Sequence, residues 1–225
     1  MRNQMVFGGK NMAEFGAYVA TSNFLDSPSR DVTTVQIPGR NGDLHIDNGR
    51  FNNFELRVQL YIMHDMKANM DALRNFLNAS AGAYLPYAET LCPNEYRMAC
   101  FRSAFVPSDY DRIGGAVTLV FDCKPQRYLT VGNAVRIVTD TLTLENPTMM
   151  TAHPAIEVTG QGSFEINGNV VTVGGDSATT VIDSEMMTCT NREVTMDDYP
   201  TLKPGTNAIA VDGVTLKITP RWWRL

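Results

Sequence analysis

A mostly-β protein in two domains is what this sequence predicts, the first with one flanking helix and the second a small β-sandwich. Three observations lead there. Apolar residues recur at period two through the first half, most clearly as Phe54, Leu56, Val58, Leu60 and Ile62, with Asn53, Glu55, Arg57, Gln59 and Tyr61 between them. One segment alone keeps a helical period. After the prolines Pro147 and Pro154 the chain becomes almost purely β in texture, with Asn-Gly and Asp-Gly turns between short alternating runs. The boundary is accordingly expected between residues 1–145 and 146–225.

Strands are expected at residues 17–22, 32–37, 54–63, 96–105 and 115–122. Between two of them, "HDMKANMDALRNFLNASAG" puts Met66, Met70, Leu73, Phe76 and Leu77 on one face, which predicts a helix of about four turns. Asp65 is placed to cap its start and Gly82 to stop its end. In the second domain, hairpins are expected at Asn167-Gly168, at Gly174-Gly175-Asp176 and at Asp212-Gly213.

The stretch "IPGRNGDL" raises a choice between a phosphate-gripping loop and a turn. A phosphate cradle opens directly into a helix, whereas strand-like sequence flanks this loop on both sides and no Gly-Lys-Ser/Thr follows. Pro presets φ and Gly or Asn accepts positive φ, so Pro38, Gly39, Arg40, Asn41, Gly42 and Asp43 are expected to form a hairpin turn.

The 225 residues are 44% hydrophobic and 19% charged, a core-forming composition. A net charge of −5 without a Lys/Arg stripe argues against a nucleic-acid binder. No apolar run reaches the ~20 residues needed to span a bilayer. The N-terminus lacks an apolar signal-peptide core, so synthesis and initial retention in the cytosol are expected. Cys92, Cys100, Cys123 and Cys189 lack zinc-ligand spacing and are expected to be buried free thiols. The twelve methionines, among them Met149-Met150 and Met186-Met187, are read as adaptable packing.

Chemistry is hard to assemble from the rest. His45, His64 and His153 have neither a paired nucleophile nor a metal-spaced partner. Asp109/Asp111 and Asp197-Asp198 are carboxylate pairs, but Ser, Asp and Gly around the first of them fit turn chemistry alone. Trp222 and Trp223, beside Arg221 and Arg224, offer either a sugar-stacking platform or, as favoured here, one tryptophan in the core and its neighbour facing out. No catalytic residue, cofactor or metal is expected.

Four stretches in order resemble siphophage distal tail proteins, the Dit family. "SPSRDVTTVQIPGRNGDLHIDNGRFNNFELRVQLYI" is similar to the family's early hairpin with its "PGRNG"-type turn and following strand. "VTLVFDCKPQRYL" resembles the strand that ends the first domain, with Cys123-Lys124-Pro125-Gln126-Arg127-Tyr128 as its tail. "ENPTMMTAHPAIEVTGQGSFEINGN" resembles the opening of the second domain, and "YPTLKPGTNAIAVDGVTLKITPRWWRL" resembles the family's ending. Residues 83–112 carry no signature.

The resemblance implies a tail-tube-like, ring-forming β-sandwich followed by a galectin-like or carbohydrate-binding-module-like one. It further implies a homo-hexamer, with single or stacked rings, at the tip of a long non-contractile tail, assembled in the host bacterial cytoplasm. Expected partners are the tail tube protein and the tip or adhesion proteins. DNA would pass the channel without specific binding, which an acidic chain favours by like-charge repulsion. No membrane partner is implied. The alternative is a carbohydrate-binding, receptor-recognising module of a phage baseplate. Because closed rings need two complementary faces per subunit, the loop Pro38–Asp43 and its hairpin are expected near a subunit or ring–ring contact, and the second domain is expected to offer loops to partners.

Overall fold

The computed structural model describes residues 2–80, 82–175 and 179–225, and the chain divides into two compact units, Met1–Arg127 with Leu225, and Tyr128–Arg224. The first unit contains β1 (Met5–Phe7), β2 (Lys10–Asn11), β3 (Ala17–Ser22), β4 (Arg30–Val35), β5 (Leu44–Phe51), β6 (Phe54–Ile62), α1 (Met66–Ala79), β7 (Tyr84–Glu89), β8 (Glu95–Phe101), β9 (Val106–Ser108) and most of β10 (Gly115–Leu129). Its main sheet runs β2-β1-β7-β8-β10-β6-β3, with β9 also on β10.

Alternation along β6 decides the core. Leu56, Val58, Leu60 and Ile62 are fully buried, and β10 opposes them antiparallel with Phe121 across Leu56, Leu119 across Val58 and Val117 across Leu60. Directly opposed residues share a sheet face, so each apolar pair meets in the interior. The helix covers this face with Met70, Leu73 and Leu77. Phe121 is the hub of an aromatic cluster, with ring centroids 5.0 Å from Phe7 and 5.5 Å from both Tyr87 and Phe101.

Two expectations about the helix ends are corrected. Asp65 stands at the N-cap but in a left-handed conformation (φ 45°), and its side chain accepts no amide hydrogen from the first turn. The helix stops before Gly82, at Ser80, whose hydroxyl and amide both donate to the Phe76 carbonyl.

The second unit contains β11 (Arg136–Val138), β12 (Thr141–Asn146), β13 (Ala155–Ile166), β14 (Asn169–Val173), β15 (Thr180–Asp183), β16 (Thr188–Cys189), β17 (Val194–Met196), β18 (Gly205–Thr219) and β19 (Trp223–Arg224). Its sheet runs β11-β18-β13-β14-β17, with β12 also on β18 and β15–β16 beside β13. The division at 127/128 precedes the expected 145/146 because β11 and β12 pair along β18, deep in the second unit.

Asn167-Gly168 turns β13 into β14, both residues at positive φ as a tight hairpin requires. Asp212-Gly213 does not make a hairpin. β18 runs straight through it and stays paired with β13 on both sides, while the register shifts between Gly160 and Ser163. The extra residue lies on β13, where Gly160 and Gly162 take φ 99° and 149°, and Gly213 opposite them takes φ 75°. Of the third expected turn, Asp176 lies outside the described residues.

Both tryptophans are buried, which corrects the expected in-and-out arrangement. Arg221 adopts φ 57° and breaks the strand just before Trp222, so period-two alternation does not apply. The Trp223 indole N–H then donates to the Thr151 carbonyl at 2.9 Å. Arg221 itself is fixed by a two-pronged ion pair to Asp183, 2.8 Å on each prong, which holds that carboxyl below the usual carboxylate range. Met149, Met186 and Met187 lie exposed rather than packed.

Candidate functional site

Strands β4 and β5 form a two-stranded sheet of their own, separate from the main sheet of their unit. Nearly every residue from Val32 to Arg50 is exposed on this arm. The predicted loop is its tip. Pro38, Gly39, Arg40, Asn41, Gly42 and Asp43 are all exposed, the Arg40 amide donates to the Ile37 carbonyl at 3.1 Å, and Gly39 and Gly42 take φ 79° and 83°. The turn reading is correct.

The arm has two unlike faces. Opposed pairs Val35/Leu44 and Thr33/Ile46 share one face, which Ile37 extends toward the tip. Val35, Ile37, Leu44 and Ile46 remain 38–48% exposed, so among the described residues this apolar face is left partly open to solvent. The other face carries Val32 opposite Asp47 and Thr34 opposite His45, with Thr34 Oγ1 3.2 Å from the imidazole.

Toward its root the arm becomes ionic. Arg30 grips the Asp47 carboxylate at 2.7–3.0 Å and lies 4.6 Å over the Phe51 ring. Hydrogen bonds from Arg30 and from the Gly49 amide hold the Asp47 carboxyl below its ordinary range. Arg50 pairs with Asp31 at 2.8 Å, and Asn48 bridges Asp31 and Thr33.

One buried residue ties the root to the body. Arg97, fully buried on β8, donates to the carbonyls of Phe24 (3.1 Å), Asp26 (2.8 Å) and Pro125 (3.0 Å), and stacks 4.3 Å from the Phe54 ring centroid. Phe24 and Asp26 precede the arm and Phe54 follows it, so one guanidinium holds both of its ends. Burial pulls the Arg97 pKa down to about 10, which leaves it charged at neutral pH. Asn23 reinforces the junction by accepting from the Arg57 amide at 2.7 Å and donating to the Glu55 carbonyl at 3.1 Å.

Sequence reasoning missed Arg97. A signal was present, since Arg97 stands at the same parity as Ala99 and Phe101, where an apolar residue belongs. Glu95 shares that parity and pairs with Arg127 at 3.0 Å, both largely buried.

The other candidates stay apart. Asp111 accepts the amides of Ile113 (2.7 Å) and Gly114 (2.9 Å), which lowers its pKa and makes it a turn-former; Asp109 bends the same loop at φ 48°. Asp198 accepts from its neighbour Tyr199. His45 and His64 are exposed, and His153 is half-buried. Cys100 and Cys123 are buried, Cys92 and Cys189 half-buried, and all four are free thiols; burial pushes Cys123 up to about 12. Among the described residues no three metal-ligating side chains come together, and no helix is long and apolar enough to cross a membrane.

Comparison with solved structures turns on the full length of the chain. The crystal structure of the Dit protein (gp 19.1) of phage SPP1, described as a paradigm of the hub adsorption apparatus in phages infecting Gram-positive bacteria, superposes with a TM-score of 0.69 at 14% identity. The match covers 97% of this chain and 98% of that one. The chain has the fold of a phage hub protein. A chain of the phage p2 baseplate, in its activated conformation with strontium, matches with a TM-score of 0.53 at 9% identity over 96% of this chain and 97% of that one. No protein-family profile matches the sequence, and no curated protein does.

Proposed function

We propose that this chain is a structural virion protein, the distal tail hub of a phage with a long non-contractile tail. The observation that carries the reading is the end-to-end match to SPP1 Dit, with nothing substantial left over on either side. Six copies close into a ring that joins the tail tube protein to the tip and adhesion proteins. DNA passes through the central channel without specific contacts, which suits a net charge of −5. Assembly takes place in the host bacterial cytoplasm, and the protein catalyses nothing.

In this reading the arm is the adhesive element. Its tip residues Pro38, Gly39, Arg40, Asn41, Gly42 and Asp43 lie at a subunit or ring–ring contact, a reading supported by the apolar hairpin face beside them, which the described residues leave partly open. The carbohydrate-binding alternative loses its best feature, since Trp222 and Trp223 are both buried and Tyr199 is half-buried.

Antibodies raised against the chain test the assignment on particles of the phage that encodes it. Label is expected at the tail end remote from the capsid. Label along the tube, on the capsid or nowhere on the particle contradicts the assignment.

A further inference from the structure

We propose that Asn41, at the tip of the arm, is a modification site where the chain loses ammonia and becomes aspartate or isoaspartate. The inference concerns the single chain and does not depend on the ring.

Asparagine followed by glycine occurs at Asn41-Gly42, Asn48-Gly49 and Asn167-Gly168. Glycine leaves its own amide nitrogen unshielded, and a Cβ at Gly42, Gly49 or Gly168 would meet nothing within 4 Å. Space therefore does not separate these pairs. Hydrogen bonding does. Asn48 Nδ2 donates to the Asp31 carboxylate and to Thr33 Oγ1, each at 3.0 Å, and the Gly49 amide donates to the Asp47 carboxylate at 2.8 Å. Asn167 Oδ1 accepts from the Ala208 amide at 3.1 Å, and its Nδ2 donates to Asn207 Oδ1 at 2.7 Å. At the tip, Asn41 and Gly42 are both exposed. Among the described residues, neither the Asn41 side chain nor the Gly42 N–H makes a hydrogen bond.

The chemistry needs only hydroxide and water. Hydroxide takes the Gly42 amide proton, and the nitrogen attacks Asn41 Cγ. The new N–Cγ bond closes a succinimide while the Cγ–Nδ2 bond breaks, and the leaving nitrogen takes a proton from water, departs as ammonia and returns the hydroxide. Water then opens the ring. Opening at Cγ gives aspartate, and opening at the Asn41 main-chain carbonyl gives isoaspartate, whose backbone runs through Cβ and Cγ. The sum is one water consumed and one ammonia released. Asn41 is free to bring its Cγ over the Gly42 nitrogen. Asn48 must first leave Asp31 and Thr33, and the Asp47 carboxylate opposes removal of the Gly49 proton. Asn167 must release both Ala208 and Asn207. Bonds that must open first add to the barrier and slow the step by about tenfold or more. Either product places a new carboxylate beside Asp43, so a tip balanced by Arg40 and Asp43 turns net negative.

Peptide mapping decides it. The purified chain is held in warm, mildly alkaline buffer, sampled over time, digested and read by mass spectrometry, beside a sample unfolded in guanidinium. In the folded chain the Asn41 peptide is expected to turn from amide to acid about tenfold or more faster than the Asn48 and Asn167 peptides. In guanidinium the rates at these positions are expected to draw together, because the protecting bonds are gone. Isoaspartate is read by methyl transfer from S-adenosylmethionine with an isoaspartyl methyltransferase, and the label is expected to fall to background in Asn41→Gln. The same variant is expected to keep the parent melting temperature, since the tip is exposed throughout. Conversion of Asn48 or Asn167 in the folded chain as fast as Asn41 overturns the proposal. So does a folded chain whose Asn41 stays intact while the unfolded chain converts.

Discussion

Arg97 shows how a single side chain decides where the arm points. Its three carbonyl partners come from separate segments, and a lysine ammonium at that depth cannot reproduce a planar fork stacked on Phe54. Replacing it leaves one buried carbonyl and two half-buried ones short of a donor, at roughly 1–3 kcal/mol for a buried group and less where water relieves it. Arg97→Met is therefore expected to destabilise the protein by about 3 kcal/mol in chemical denaturation, and Arg97→Lys to recover less than half of that. Loss below about 1 kcal/mol would show that the root is held by other contacts. The sequence reveals this residue only as a charge at a core parity, and which carbonyls it meets depends on segments about 70 positions away in the chain.

Among elements, those built from local rules were legible in the sequence and those built from long-range pairing were not. β6 and α1 show their buried faces in their own periodicity, and the tip of the arm shows its turn in Pro38-Gly39 and Asn41-Gly42. The arm's detachment was hidden, because alternation in β4 and β5 reads alike whether the apolar face meets a core or water. Asp212-Gly213 misled for a related reason. Turn chemistry and bulge chemistry both want positive φ, and only the partner strand decides between them. On that strand Gly162 (φ 149°) passes so close that a Cβ would lie 2.1 Å from the Asp212 carbonyl oxygen. Gly162→Ala is expected to cost about 2 kcal/mol or more, measured by thermal unfolding, because the contact is with backbone and cannot step aside. At the tip the expectation is the reverse, with a folded monomer and a weakened assembly. Arg40→Ala combined with Asp43→Ala should leave the melting curve unchanged and shift sedimentation toward monomer. An unchanged ring would move the subunit contact away from residues 38–43.

At the scale of the whole molecule, two compact units match the phage hub fold over nearly all their length at an identity of 14%. Motifs shared with distal tail proteins were readable in four stretches, while residues 83–112, which supply β8 and Arg97, carried none. Their sequence answers to burial and packing, which many residue combinations satisfy. In the proposed assembly this fold closes into a ring of six. Light scattering on the purified chain, with class-averaged electron micrographs of the same peak, tests it most directly. The expected mass is about 149 kDa, six times 24.9 kDa, or twice that for rings back to back, with sixfold views around an open centre. A compact particle of another mass with no central opening would contradict it.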